Sequence, residues 1–498
     1  MTKPAGNLWL IAHYRLNQFV LSNESYIGNY DKLEISASGK VTRIFGPKYA
    51  PKNETVLANL EFALKYDDLH FGLLKHVFLL IKETALLNHI HASGKGKYTR
   101  KLGFLFEFLT GGELPIVKQM SGNYIDLLDD SKYITGDIIK NAKWKVNNNL
   151  LGNHDYCPIV RRTKRLDDLL RHDIRSNIHK LEKKYTSEIF TRAISFLYNK
   201  ETRSSFEIER ETPSPDRMER FIALLQRAGI ENSQTLLSEK NLTTYQNIIV
   251  DPRFMNKGFR DFQNYIGENL PNFIEKIHYI CPPPEMVSPL MNGLQECLEK
   301  SKTASPLIRA SIISFGFVFI HPFEDGNGRI HRFLIHDMLV RDELVPKGWI
   351  VPVSAHILNN MKAYDQALEN YSNPVLQHIS YKKNNEGEIS ISNKKEIEFY
   401  FQYPDFTQQC IYLAETIITS VMEDMPQELE FIKNYDELKT EIKNMVDMPD
   451  KMLNQIIMFL HQNKGVMPKR RRKEFSKLTD EEIAKMEKLY TEIFDSKN

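Results

Sequence analysis

Between Leu307 and Val340 the chain reads LIRASIISFGFVFIHPFEDGNGRIHRFLIHDMLV. A mostly apolar run leads to His321. A short loop follows, with Gly326 and Gly328, and then a second helix with apolar positions at Ile330, Phe333, Leu334, Ile335, Met338 and Leu339. Helix, glycine loop and helix N-terminus, in that order, make an anion site. The unpaired N–H groups of the second helix point into the loop, and its dipole favours negative charge there. Gly326 and Gly328 can take positive φ and let backbone approach a ligand. Arg329 and Arg332 stand three residues apart and project from one helix face. Two guanidiniums beside a nest of amides describe a polyphosphate site. Asp325 is a hard oxygen ligand of the kind that holds Mg²⁺ against phosphates. A histidine placed like His321 can act as a general base near neutral pH. Each of these residues alone has a plainer role as cap, turn or solvated surface. Their occurrence within twelve residues is what points to a site.

Composition excludes several other classes. Hydrophobic residues make up 42% and charged residues 26%, which rules out wholesale disorder and fibrous repeats. Lys plus Arg is 66 against 64 Asp plus Glu, a net charge of +2, so no global field draws the chain to nucleic acid or anionic lipid. The four cysteines, Cys157, Cys281, Cys297 and Cys410, are far apart, so neither a disulfide framework nor a Cys-rich zinc site is expected. The start has no signal-peptide pattern. The longest apolar stretch, Ile312 to Ile320, is far short of the roughly 20 residues that span a bilayer. A soluble cytoplasmic protein with reduced thiols and no membrane partner is the expectation.

Along the chain, Leu33 to Phe45 alternates around a Ser-Gly-Lys turn and predicts a hairpin. Apolar spacing predicts a helix from Asp67 to about His91 and another from Thr99 to Leu109. Ser93 to Lys97 resembles a phosphate loop in composition only, since the G-x-x-x-x-G-K-[ST] spacing is missing. Residues 111–165 read as irregular and close a first domain. From Leu166 the pattern is helical, except at Thr212-Pro213-Ser214-Pro215, around 244–285, and at Lys382–Lys395, which reads as a linker. The fold class is mainly α, with a mixed N-terminal domain at 1–165, a chemistry-bearing domain at 166–385 and a helical, winged-helix-like C-terminal domain at 386–498. Pro468-Lys-Arg-Arg-Arg-Lys473 is a basic run. Acidic residues nearby compensate it, which makes a solvated helix junction the simpler reading and nucleic-acid binding the weaker one.

His321-Pro-Phe323-Glu-Asp325-Gly326-Asn327-Gly328-Arg329-Ile-His-Arg332 resembles the signature of Fic-domain proteins, H-x-F-x-[DE]-G-N-G-R-x-x-R, at all its defined positions. The resemblance implies a helical Fic core that transfers AMP from ATP to a Tyr, Thr or Ser hydroxyl of a protein, itself included, and releases pyrophosphate. It implies that His321 deprotonates the hydroxyl and that Phe323 anchors the loop. Asp325 would bind Mg²⁺. Gly326, Asn327 and Gly328 would cradle the α- and β-phosphates, and Arg329 and Arg332 would hold the β- and γ-phosphates. Both glycines are kept, which favours nucleotidyl transfer over the kinase-like branch of the family. Upstream, Arg260 to Gly267 and Ile277 to Pro284 resemble the family's β-hairpin flap, whose exposed edge could hold a target segment by strand addition.

Ser205 and Glu209, within Ser204-Ser205-Phe206-Glu207-Ile208-Glu209-Arg210, resemble the family's inhibitory motif, [ST]-x-x-x-E-[GN]. The resemblance implies that Glu209 pairs with Arg332 and blocks the γ-phosphate position. Such a charge-assisted pair is worth roughly 1.5–3 kcal/mol. Arg210 stands where Gly or Asn is usual, and predicts that the helix runs on towards Thr212. Such brakes are often tuned at an interface, which makes a homodimer plausible. Three alternatives share these residues: removal of AMP by hydrolysis, transfer from another nucleotide or a phosphocholine donor, and a nucleotide-sensing, nucleic-acid-binding regulator.

Overall fold

Capping residues mark where many of the helices begin. Thr55, Thr163, Asp173, Thr186, Ser214 and Ser238 each accept a hydrogen bond from the N–H three residues on, which satisfies one of the orphan donors of a helix start. At Ser214 the following Pro215 takes the first helical position, where its missing N–H costs nothing. The computed structural model describes residues 2–36, 40–93, 96–116, 120–271 and 274–494. It is mainly helical, with four small sheets among these residues. Packing divides it into two compact units. One comprises Met1–Arg171, Pro213–Glu343 and Asn360–Glu415, the other His172–Thr212, Leu344–Asn359 and Thr416–Asn498. The units interleave along the sequence.

In the first unit the N-terminal strands form one sheet in the order Lys3–Pro4, Asn23–Ile27, Val41–Phe45, Lys32–Ile35. The predicted hairpin is its antiparallel pair Lys32–Ile35 and Val41–Phe45; the Ser38-Gly39 part of its turn lies outside the described residues. The helical stretch from Asp67 is two helices, Phe71–Leu80 and Glu83–Ser93, because Ile81 is extended and ends the first. The helix Lys97–Thr110 follows, and Gly94 and Lys95 before it lie outside the described residues. Residues 111–165 are largely irregular, as expected, around a three-stranded sheet of Ile125–Asp126, Val146–Asn148 and Ile139–Asn141. Leu73, Val77, Leu102 and Trp144 are among the buried residues of this core.

The expected linker at Lys382–Lys395 is instead folded. Tyr381–Lys383 and Ile389–Ile391 pair as a hairpin. Ile389 and Ile391 alternate with an exposed Ser390, so the polar stretch still buries one apolar face. The helix Lys394–Gln402 then returns to the N-terminal core, where Phe399 stacks obliquely on Phe19 at 4.5 Å.

In the second unit the helix Ser187–Ile208 packs against Val353–Asn359 and against Met425–Met445. Phe190 meets Trp349 at 4.1 Å, and Tyr185 donates to Glu430 at 2.9 Å. A separate core gathers Leu438, Ile442, Leu453, Ile456 and Leu460. No strand occurs among the described residues 416–494. In the basic run, Arg472 donates to Asp480 and to the Phe475 and Leu478 carbonyls, and Arg471 pairs with Glu474. No helix among the described residues is long and apolar enough to cross a membrane, and all four cysteines are free and buried.

Candidate active site

The buried helix Pro306–Ile320 and the helix Asn327–Arg341 pack against each other and hold the loop 321–326 between them. His321 caps the first helix in the left-handed region, at φ 53° and ψ 59°. A non-glycine residue there costs roughly 1–2 kcal/mol, so the surrounding bonds must hold it. The carbonyls that follow one another out of the helix end show how. Phe317 O accepts from the His321 N–H at 3.0 Å, and Val318 O lies 3.1 Å from His321 Nδ1. Phe319 O accepts from Tyr279 Oη at 2.7 Å. His321 O accepts from Arg260 Nε at 2.8 Å, and Pro322 O from the Arg260 N–H at 2.8 Å. Phe323 O accepts from Asn327 Nδ2 at 2.9 Å.

The Val318 contact sets the chemistry of His321. A carbonyl oxygen only accepts, so Nδ1 carries the ring proton and Nε2 is the basic nitrogen. The backbone has thus selected the tautomer a general base needs, much as a carboxylate does in other histidine sites.

Phe323 is fully buried and meets Phe259 edge-on at 5.6 Å. Asn327, 1% exposed, bonds both to the Phe323 N–H through Oδ1, at 3.1 Å, and to the Phe323 carbonyl through Nδ2. Its side chain therefore closes the loop. Gly326 has φ 89°, and a Cβ there would sit 3.2 Å from Val250. Behind it Gln246, wholly buried, donates to Phe254 O and Asn256 Oδ1. Gly328 lies in the first turn of the second helix. Arg329 and Arg332 are each 1% exposed. Between them, burial pulls His331 down to about 3, so its ring stays neutral against Phe315.

Asp325 Oδ1 accepts from the Gly326 N–H at 2.6 Å and from Arg329 Nη2 at 2.8 Å. Its side chain is 41% exposed. Among the described residues no group of three or more His, Cys, Asp and Glu could cage a metal. One exposed carboxylate suits Mg²⁺, which is commonly held by one or two carboxylates together with substrate phosphates.

The eight signature positions are thus brought together in one loop and helix start. The two brake positions belong to the second unit and are described with it. Ser205 is buried and Glu209 is exposed. The helix ends at Ile208, and Arg210 takes φ 58°. The Glu211 N–H returns to Phe206 O at 3.0 Å. The expected run-on towards Thr212 does not occur. Arg210 adopts the left-handed turn that glycine usually supplies at a helix end. On the same helix Glu201, 1% exposed, accepts from the Ser354 N–H at 2.7 Å and from its hydroxyl, capping Val353–Asn359.

Residues 237–339 match the family described as Fic/DOC family. Over these residues the chain is similar to the Fic/DOC family. The Fic match spans the flap, the loop and nearly all of the second helix. A probable protein adenylyltransferase of Aquifex aeolicus is 30% identical over 148 residues, 28% of this chain and 43% of that protein. Protein adenylyltransferase Fic of Drosophila melanogaster is 35% identical over 85 residues, 17% of this chain and 15% of that protein. The chain therefore spans less than half the length of these curated relatives. The crystal structure of a Fic family protein from Desulfovibrio desulfuricans G20 aligns with a TM-score of 0.38 at 17% identity, covering 54% of this chain and 76% of that one.

The hairpin expected as a flap is the antiparallel pair Tyr265–Leu270 and Ile274–Ile280, with a bulge at Ile266/Gly267. Lys383 of the second hairpin bonds to Glu275 and, at 2.9 Å, to Tyr265 Oη. Neither that brace nor the roles of Gln246, Tyr279 and Glu201 is legible in sequence. Their partners lie far away along the chain, and no local pattern marks them.

Proposed function

We propose that this chain is a protein adenylyltransferase that moves AMP from ATP to a Tyr, Thr or Ser hydroxyl of a protein, with Glu209 as a built-in brake. The observation that carries the reading is His321. Its Nδ1 is spent on Val318 O, and its basic Nε2 belongs to a loop that ends on a helix N-terminus with two buried arginines. The adenylyltransferase names of the relatives support it.

In this reading the hydroxyl oxygen attacks the α-phosphorus and Nε2 takes its proton. The bond from the α-phosphorus to the bridging oxygen breaks, and pyrophosphate leaves with that oxygen. The N–H groups around Gly326, Asn327 and Gly328 bind the α- and β-phosphates at the positive end of the helix dipole. Arg329 and Arg332 hold the β- and γ-phosphates. Phe323 and the Asn327 side chain keep the loop closed. Asp325 would hold Mg²⁺, which neutralises charge on the phosphates. Glu209 opposes productive ATP binding.

The test is transfer of label from [α-³²P]ATP with Mg²⁺ to the protein itself and to a cell lysate. Wild type, Glu209→Gly and His321→Ala are compared. Label that rises in Glu209→Gly and vanishes when His321→Ala is added supports the base and the brake together. No label in Glu209→Gly, with ATP binding intact by calorimetry, overturns the transferase reading.

A further inference from the structure

Arg260 is 4% exposed, and among the described residues no carboxylate pairs with it. Burying a guanidinium without a counter-charge is costly, and burial alone pulls its proton affinity down. What it meets is a fan of carbonyl oxygens. Nε donates to His321 O at 2.8 Å. Nη1 donates to Phe262 O at 2.8 Å, and Nη2 to Pro282 O at 2.7 Å. Nη2 also lies 3.4 Å from Ile320 O, and the Arg260 N–H bonds to Pro322 O.

These oxygens belong to three structures. Ile320 O is at the negative end of the helix dipole, where a cation is favoured. His321 O and Pro322 O are the backbone of the strained left-handed turn. Phe262 O and Pro282 O lie just outside the two ends of the flap hairpin. A planar fork with donors on three sides can span all of them at once, which a lysine cannot.

We propose that Arg260 is a positioning residue for His321. Its guanidinium locks the left-handed turn that aims the imidazole and ties that turn to both feet of the flap. The base and the strand on which a target segment would lie are then held by one group, so their spacing is set before either substrate arrives. This rests on the transferase reading for its effect on rate. Its effect on the geometry of His321 does not depend on that reading.

The test uses the full chain carrying Glu209→Gly, with Arg260→Ala or Arg260→Lys added. Histidines are labelled at ¹³Cε1, and the His321 resonance is identified by its loss in His321→Ala. In Arg260→Ala the His321 resonance should shift and broaden while those of distant histidines such as His89 stay in place. For transfer, kcat should fall about 100-fold, the loss expected for a displacement of roughly 1 Å, with KM for ATP changing less than about threefold. Guanidinium at millimolar concentration should restore the resonance and at least part of kcat. Arg260→Lys should stay impaired, and it carries the test if Arg260→Ala does not fold. An unmoved His321 resonance in a folded variant overturns the proposal. So does a loss that appears only as a raised KM, or one that guanidinium leaves unrescued. If Glu209→Gly shows no transfer at all, the transferase reading fails, and the resonance and its rescue by guanidinium still decide the role of Arg260.

Discussion

Asn327→Ala separates two roles for the asparagine in the signature. If its side chain mainly contacts phosphate, its loss weakens nucleotide binding and leaves the empty loop intact. The geometry argues for loop closure. Both polar atoms of the side chain are used on Phe323, at 3.1 and 2.9 Å, and the residue is 1% exposed. Truncation removes two hydrogen bonds and leaves the Phe323 N–H and carbonyl without them. A lost bond of this kind costs about 1 kcal/mol net, and a buried group left unsatisfied costs roughly 1–3 kcal/mol. Taken together, the closed loop loses about 2–4 kcal/mol. The burial of Phe323 still opposes opening, so part of the population stays competent, and apparent affinity falls only by the fraction lost. We expect ATP affinity by calorimetry to drop about tenfold or more on that arithmetic, with faster amide exchange at 323–327 already present without nucleotide. Asn327→Asp keeps the acceptor for the Phe323 N–H but places a carboxyl beside the phosphates, so it should bind ATP no better than Asn327→Ala. Unchanged exchange in the nucleotide-free Asn327→Ala would refute the loop-closing argument, whatever happens to ATP.

Gly326→Ala should weaken ATP binding and lower thermal stability, because a left-handed alanine costs roughly 1–2 kcal/mol and its Cβ meets Val250 at 3.2 Å; an unaltered melting curve would sink this. Glu201→Ala removes a charged cap from Ser354 worth roughly 1.5–3 kcal/mol. It should therefore lower the melting temperature, with Glu201→Gln in between, and if the helix Ser187–Ile208 is the brake it should raise self-labelling less than Glu209→Gly does. Stability should rise from pH 4 to about 6.5 and then level off. His70 is pulled down to about 4 and His331 to about 3 by burial, so the unfolded chain takes up protons there that the folded chain refuses. Asp67, pushed up to about 6 by burial, opposes them, because its stabilisation is complete below pH 4 and fades as pH rises through 6. Each tenfold change in proton affinity on folding is worth about 1.4 kcal/mol, so the two histidines outweigh Asp67. A urea midpoint that falls between pH 4 and 6.5 would contradict this.

The parts legible in sequence are those with local causes. The glycines, the helix that follows them and the aspartate before them are neighbours, and their spacing alone places them in one loop. The hairpin at Lys32–Phe45 is readable for the same reason. The stretch 382–395 misleads because its polar residues outnumber Ile389 and Ile391, the two that anchor it. Arg210 misleads because glycine is the usual occupant of a left-handed helix end, and the bond from the Glu211 N–H to Phe206 O forms without it. Arg260 is in plain view before the flap, yet nothing marks it as buried. An arginine held by carbonyls has no acidic partner to betray it, and its guanidinium reaches an acceptor 61 residues away along the chain. Glu201 caps a helix 153 residues downstream.

The loop's bonds also bear on what binding must still supply. Asn327 and Arg260 hold the loop directly and Tyr279 holds the helix end before it at Phe319 O, and none of these contacts requires a nucleotide or a metal. Ordering the loop is then not a cost of ATP binding, and donors already in place act fully on charge as it develops. Asp325 is the exception. Its Oδ1 is engaged by Arg329 and the Gly326 N–H, so a cation would have to use Oδ2 or displace the arginine. Using Oδ2 leaves Arg329 tied to the carboxylate while it reaches for phosphate, which fixes its position at the expense of some of its charge. Asp325→Asn keeps an acceptor for Arg329 and loses the anionic oxygen. It should therefore weaken Mg²⁺-dependent ATP binding while leaving ATP binding without Mg²⁺ within about twofold, provided the lost charge is the metal's ligand. An equal loss with and without Mg²⁺ would instead place the importance of Asp325 in holding Arg329.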